Sequence, residues 1–429
     1  MERPFKIGLA GFAAVAAVLA LAGREPRKAE PGTPRSDLIT LAKVSTADRR
    51  AIDYRLLDER LKRMAAKPTM VGLAVGVVEN GRITFLNGYG ETLAGSGEAV
   101  TPQTVFRWAS VSKGVAGTMA AKLAEQGKLD LAKPIGLYAP SLKLPGGNET
   151  RATLGDVLSH RLGLYRNAYD DKLEAGENPS VIRRNLGSLA SLCAPGTCWS
   201  YQNIAFDASS EAVVGATSKS YEEAVTATLF RPLGMTSATI SLAGLQRAPS
   251  WARPHSVGRR PLELSDAYYR VPAAGGVNSN IKDLALWMIA QMGGMPEVLN
   301  KRLLDQIHAP LVATPGELRR LRKFRERLDQ PHYGYGWRSY LYAGHRIVGH
   351  RGGVNGYRSL ILFDPALKSG VVAMWNSSTS QPGGLEFEVM DMLYRLPLRD
   401  WMELDQSAAP AATIAAAEEE PNSGGEARN

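Results

Sequence analysis

Apolar residues recur at helical spacing between Arg49 and Met64, at Ile52, Leu56, Leu57 and Leu61, which predicts an amphipathic helix. The apolar run Val71 to Val78 ends in Glu79-Asn80-Gly81 and continues as Arg82 to Leu86. Asn-Gly accepts the positive φ of a tight turn, so the two runs predict a β-hairpin. After Trp108 the pattern changes: Val111 to Leu123 is alanine-rich and apolar, with Gly127 beyond it, and reads as a buried helix with a glycine cap. Residues 130–290 read as helix and loop, punctuated by Pro-Gly at 145–146 and 195–196. Strand-like runs return at Ile347–Val348, Tyr357–Phe363 and Val371–Trp375. The order strands, helices, strands predicts an α+β fold: an antiparallel sheet built from both chain ends and flanked by helices, with a mainly helical lobe inserted.

The two ends depart from this pattern. Arg3 and Lys6 precede an apolar run, Ile7 to Ala22, that closes with Ala20-Leu21-Ala22. Residues 1–22 therefore read as a signal peptide, with an uncleaved membrane anchor as the alternative, because Arg24, Arg27 and Lys28 resist translocation. Either reading exports the rest of the chain, to a periplasmic or extracellular location. Residues 23–45, rich in Pro, Arg, Lys and Glu, read as a linker, 46–400 as one domain, and 401–429 as a disordered tail rich in Ala, Glu, Pro and Gly.

The net charge of +9 favours anionic surroundings such as wall polymer or phospholipid headgroups. No nucleic-acid-binding motif accompanies it. Arg319, Arg320, Arg322, Lys323, Arg325 and Arg327 interleave with Leu318, Leu321, Phe324 and Leu328. The spacing predicts a basic amphipathic helix, read as a solvated face over a packed stripe, with a lipid or wall contact as the alternative. The two cysteines, Cys193 and Cys198, flank the turn pair Pro195-Gly196, and in an oxidising compartment they are expected to form a small disulfide ring worth at most about 2 kcal/mol, with two free thiols as the alternative.

Candidate chemistry begins at Ser110-Val111-Ser112-Lys113. Three residues apart at the head of a buried helix, Ser110 and Lys113 share a face. An amine held in an apolar pocket can accept the serine proton. The pattern recurs at Ser279-Asn280-Ile281-Lys282, where Asn280 and Asp283 read instead as a helix cap. Tyr201-Gln202-Asn203 offers a hydroxyl that can shuttle a proton and an amide that can hold a carbonyl. Tyr165-Arg166-Asn167 is a competing Tyr-x-Asn that reads as a loop after a helix. His350-Arg351-Gly352-Gly353 places a histidine beside two glycines that allow a close backbone approach. Lys368-Ser369-Gly370, its competitor, follows Asp364-Pro365-Ala366 and reads as a turn. There is no Gly-x-Ser-x-Gly and no His-Glu-x-x-His, which disfavours nucleophile-elbow and zinc hydrolases.

The ordered set Ser-x-x-Lys, Tyr-x-Asn and His-x-Gly resembles the serine β-lactamase and D-Ala-D-Ala carboxypeptidase family, including its esterase branch. Phe106-Arg107-Trp108-Ala109, Leu158-Ser159-His160, Pro195-Gly196-x-x-Trp199, Ala274-Gly275-Gly276 and Tyr335-Gly336-Trp337 add to the likeness, which covers roughly residues 50–398. The resemblance implies an acyl-enzyme mechanism within residues 46–400, with Ser110 as nucleophile, Lys113 as proton acceptor and Tyr201 as proton relay. Asn203 and His350 would bind substrate, and the backbone N–H groups of Ser110 and Gly353 would form the oxyanion hole beside Gly352. It implies no metal or organic cofactor, and a small-molecule or peptide substrate: a D-alanyl peptide, a β-lactam, a small ester or a D-amino-acid amide. His350 stands where many β-lactamases carry the lysine of Lys-Thr-Gly, which points toward the carboxypeptidase and esterase branches. A non-catalytic penicillin-binding sensor of the same fold is the alternative.

Overall fold

The structure, a computed structural model, describes residues 35–42 and 51–405. The predicted signal or anchor segment 1–22 lies outside the described residues, as do 406–429. Helix α1 (Tyr54–Ala65) starts where Asp53 accepts hydrogen bonds from the N–H groups of Arg55 and Leu56. It leads into the hairpin of β1 (Gly72–Glu79) and β2 (Arg82–Gly90), turned by Asn80 and Gly81 at φ 50° and 75°. A short ribbon of β3 (Phe106–Arg107) and β4 (Asn278–Ser279) brackets the helical insertion. The remaining strands are β5 (Val312–Ala313), β6 (Leu328–Tyr333), β7 (Arg338–Tyr342), β8 (His345–Val354), β9 (Tyr357–Asp364) and β10 (Ser369–Trp375). The main sheet runs β2-β1-β10-β9-β8-β7-β6-β5 and every pairing is antiparallel. The first hairpin thus docks on the last strand, as the order of patterns along the chain implies.

Strand β1 is buried at every position, because both sheet faces are covered. Leu73, Val75 and Val77 pack with Val371, Ala373 and Trp375 against Leu57, Leu61, Leu385 and Val389 on α1 and the helix Leu385–Leu393. Ala74, Val78, Val372 and Met374 point the other way, into the core shared with α2 (Ser112–Glu125) and the helix Ile281–Gln291. Two-residue alternation therefore survives inside a continuous apolar run. No described helix is long and apolar enough to cross a membrane.

Three expectations change. Residues 401–405, assigned to a disordered tail, instead pack: Trp401, Met402 and Leu404 are buried, and Arg60 reaches Asp400 and Asp405 at 2.5 and 2.7 Å. In the linker 23–45, residues 35–42 are held on β2, where Thr40 and Ala42 donate N–H to the carbonyls of Ile83 and Thr84. The basic helix around 319–328 is broken. A helix Gly316–Arg320 and a 3-10 turn Arg322–Phe324 precede β6. The apolar stripe is real, since Leu321, Phe324 and Leu328 are buried in one cluster with Phe387 and Trp401. Lys323 and Arg327 pair with Glu403 and Asp391 rather than forming a free basic face.

Buried Arg60 makes a two-pronged contact with Glu388, at 2.6 and 2.9 Å, which ties α1 to the C-terminal helix. Arg60→Ala strands that carboxylate and should cost about 3–5 kcal/mol in chemical denaturation. Pairing Arg60→Met with Glu388→Leu should recover most of the loss; a double variant no more stable than the single would show that the ion pair is not the cause.

Candidate active site

The β3–β4 ribbon delivers the chain to the cleft. Trp108 donates its backbone N–H to Val277 at 2.8 Å and its indole N–H to Ser279 Oγ at 2.8 Å. The next residue, Ala109, sits at φ 47°, a left-handed conformation that costs a non-glycine residue about 1–2 kcal/mol. A 3-10 turn, Ala109–Val111, carries half-buried Ser110 into α2. The first ten residues of α2 are buried, so Lys113 one turn on is completely enclosed. Its Nζ donates to Asn203 Oδ1 at 2.7 Å and to the Ala274 carbonyl at 3.0 Å, and lies 3.4 Å from Ser110 Oγ. The first two partners only accept, so two N–H bonds are committed to them. In the neutral amine the lone pair that remains faces Ser110.

Asn203 is oriented from both ends. Its oxygen takes the Lys113 proton, and its Nδ2 donates to Asp170 Oδ2 at 2.6 Å. Burial pushes the Asp170 carboxyl up to about 6, against the opposing pull of Asn203 and Lys113. Tyr201 lies beneath Lys113, whose Nζ is 4.7 Å from the ring centroid, and packs on His160 at 4.4 Å. Cys193 and Cys198 are joined in a disulfide. Their loop is laced to the chain around His160: Leu192 bonds Gly163, Gly196 bonds Arg161 and Ser200 bonds the His160 carbonyl. The ring thus supports the segment that presents Tyr201.

Two histidines and a tyrosine form one directional chain. Gln202 donates its N–H to His160 Nδ1 at 3.2 Å, so the His160 proton sits on Nε2, 3.2 Å from Tyr333 Oη. The Tyr333 hydroxyl then gives its own proton to His350 Nε2 at 3.0 Å, leaving His350 Nδ1–H for the Arg351 carbonyl at 2.6 Å. Burial, reinforced by the charges of Lys113 and Arg338, holds both imidazoles well below their ordinary value, consistent with one proton each. His350 lines the cleft, yet both of its ring nitrogens are already engaged.

Strand β7 pairs with β8 only as far as Gly349, whereas β9 follows β8 to Val354. One edge of residues 350–354 is therefore left by β7 beside Ser110. A Cβ on Gly352 would stand 2.3 Å from the Trp108 carbonyl and 3.1 Å from the Ser110 nitrogen, so only glycine permits this approach. Gly353 lines the cleft with Ser110, Tyr201, Asn203 and His350.

The cleft, about 420 Å³, also holds groups that the motifs did not name. Asp170 stands in no motif of its own; nor does Tyr333, which is fully buried against His350 and lies two residues before Tyr335-Gly336-Trp337. Arg338, next after Trp337, lies over the rings of Trp199, Tyr201 and Tyr333. Arg166 and Asn167, from the competing Tyr-x-Asn, line the cleft too, while Tyr165 stays exposed. Ser279-x-x-Lys282 is elsewhere: Asn280 caps the helix Ile281–Gln291 by accepting from Asp283 N–H. Lys368-Ser369-Gly370 forms the turn entering β10, where the Lys368 carbonyl accepts from Gly81. Among the described residues no group of three or more His, Cys, Asp or Glu side chains is placed to hold a metal ion.

Ser110, the enclosed Lys113, Tyr201 and the free edge of β8 are thus gathered about one cleft. A family model described as Beta-lactamase matches residues 57–390, and the chain belongs to that family. It is 28% identical over 324 residues to "Unguisins hydrolase ungD'" of Aspergillus campestris, covering 72% of this chain and 59% of that protein. It is 30% identical over 225 residues to "D-alanyl-D-alanine-carboxypeptidase/endopeptidase AmpH" of Escherichia coli K12, covering 51% of this chain and 56% of that one. The chain thus spans somewhat more than half the length of these curated relatives. The octameric penicillin-binding protein homologue from Pyrococcus abyssi shares the fold, with a TM-score of 0.72 at 22% identity, over 80% of this chain and 78% of that one.

Two measurements probe this geometry. Turnover of an ester substrate should fall as pH drops through about 6, where Asp170 takes up its proton and ceases to be an anionic acceptor for Asn203. Asp170→Asn should lack that inflection; an unchanged profile assigns it to another group. Gly352→Ala should lower kcat/KM by about a hundredfold while the protein still folds, because the added methyl pushes β8 off Ser110. Near-normal turnover would show that the close approach is dispensable.

Proposed function

We propose that the protein is a serine hydrolase that forms an ester on Ser110 and cleaves the amide or ester bond of a small or peptide substrate. The observation that carries this reading is Lys113: a fully buried amine whose two fixed acceptors leave its third position for Ser110 Oγ, 3.4 Å away. In the first half-reaction Ser110 Oγ bonds to the substrate carbonyl carbon while its proton passes to Lys113. The oxyanion that develops is met by the backbone N–H groups of Ser110 and Gly353. As the bond to the leaving group breaks, that group takes a proton through Tyr201. Water then attacks the ester, loses a proton to the same groups and releases the acid, restoring the serine hydroxyl.

Asn203, pinned between Lys113 and Asp170, holds the substrate amide. His350 serves as a neutral wall of the cleft. Peptide or amide cleavage fits the relatives' names, one a hydrolase and the other a carboxypeptidase/endopeptidase. A D-alanyl peptide, a β-lactam, a small ester and a D-amino-acid amide are the substrates to compare. Export from the cytoplasm fits the disulfide, since such bonds persist in oxidising compartments.

Purified protein should gain covalent mass from a fluorophosphonate or a labelled penicillin, and Ser110→Ala should abolish the gain. Equal labelling of that variant refutes the assignment. Labelling that persists without released product would instead favour a sensor that acylates and stops.

A further inference from the structure

Four guanidinium groups line the cleft, from Arg166, Arg320, Arg338 and Arg351. Two have carboxylate partners: Arg338 lies 2.9 Å from Glu317, and Arg351 donates to Glu386 at 2.7 Å. Among the described residues, no ion pair is made by Arg166 or Arg320. The third cleft carboxylate, Asp170, is bound to Asn203. Arg166 is held in place on both sides. Asn167 donates its N–H to the Tyr201 carbonyl at 2.9 Å, and Gln202 donates to the Tyr165 carbonyl at 2.6 Å. Its guanidinium stands 5.4 Å from the centre of the Tyr201 ring. Arg320 ends the helix Gly316–Arg320, the same helix that supplies Glu317. Partial burial, and then the like charge of Arg320, keep Arg166 below the usual guanidinium range. Like charges turned into one cleft without counter-ions attract an anion. His350, which the family resemblance would assign to a substrate carboxylate, has no ring nitrogen left for one.

We propose that Arg166 and Arg320 form the anchor for a carboxylate on the substrate and select for acyl compounds that carry one. This rests on the acyl-serine reading of the same cleft. Guanidinium groups bind carboxylates through paired N–H donors, which a single ammonium cannot match. Arg166 stands beside Tyr201, and both arginines line the same cleft as Ser110, so an anionic substrate held by them occupies the cleft that holds the serine.

Two matched substrate pairs test the proposal: p-nitrophenyl glutarate against p-nitrophenyl butyrate, and an acyl-D-Ala-D-Ala acid against its C-terminal amide. In at least one pair the wild-type protein should prefer the acid. The ratio of kcat/KM values, acid over neutral, should drop about tenfold in Arg166→Gln and in Arg320→Gln. Arg166→Lys should restore part of it, and added salt should erode the preference. Ratios identical in wild type and variants for both pairs would overturn the anchor. Fluorophosphonate labelling, run alongside, reports on Ser110 separately: labelling without an arginine-dependent ratio sinks only the anchor, and loss of labelling sinks the acyl-serine reading. Calorimetry with glutarate on Ser110→Ala tests the anchor without turnover; binding no weaker after Arg166→Gln would again overturn it.

Discussion

Burying the amine of Lys113 is the constraint around which the cleft is arranged. A polar amine taken out of water costs free energy unless its N–H groups are paired, and the helix that carries it is buried along its first ten residues. Compensation arrives from three directions in the chain: Asn203 from the helical lobe, the Ala274 carbonyl from the approach to β4, and Ser110 from the turn below. A hydrogen bond that satisfies such a buried donor contributes about 1 kcal/mol net. Three elements far apart in sequence are thereby held at fixed distances from one nitrogen. The amine that would receive the serine proton is also the tie that positions the groups around the substrate.

The sheet and the lobe can be read as the means of delivering those partners. The small ribbon of β3 and β4 joins the two ends of the insertion, so Ser110 and Ala274 leave the same base and meet at Lys113. On the far wall β8 outruns β7 by five residues, and Gly352 lets its backbone rest against Trp108 and Ser110. The strained Ala109 sits where these constraints converge. Its cost is tolerated because the ribbon hydrogen bonds on one side and α2 on the other over-determine the turn.

Much of the fold was legible from periodicity. The hairpin at Asn80-Gly81, the buried helix after Ser110 and the late strands have patterns set by local burial, and they formed near their expected positions. Where the reading failed, burial was supplied by distant chain. Residues 401–405 look like part of a polar tail, yet Arg60 and the helix Leu385–Leu393 give Trp401 and Met402 a place to pack. The stripe Leu321, Phe324, Leu328 has helical spacing, but it packs across a turn into a strand, where Phe387 and Trp401 from the distant C-terminal chain join its cluster. In the cleft, motifs pointed to residues whose chemistry depends on local spacing. Asp170, Tyr333 and Arg338 had no such signal: each owes its place to partners tens to hundreds of residues away.

The chain His160–Tyr333–His350 also bears on what a histidine does at the position where the family resemblance would place a lysine. An ammonium there would be buried beside Arg338 and the Lys113 amine, which together with burial already depress the His350 imidazole. Their repulsion would add to the cost of desolvation, with Glu317 turned to Arg338 and Asp170 to Asn203. A neutral ring with both nitrogens satisfied avoids that cost and keeps the wall of the cleft fixed through Tyr333. Positive charge is instead carried at the cleft mouth by Arg166 and Arg320, where solvent screens their mutual repulsion and the flanking chain holds Arg166 beside Tyr201. The division leaves the serine facing neutral or internally paired groups and moves the unpaired cations outward, to where a substrate first meets the protein.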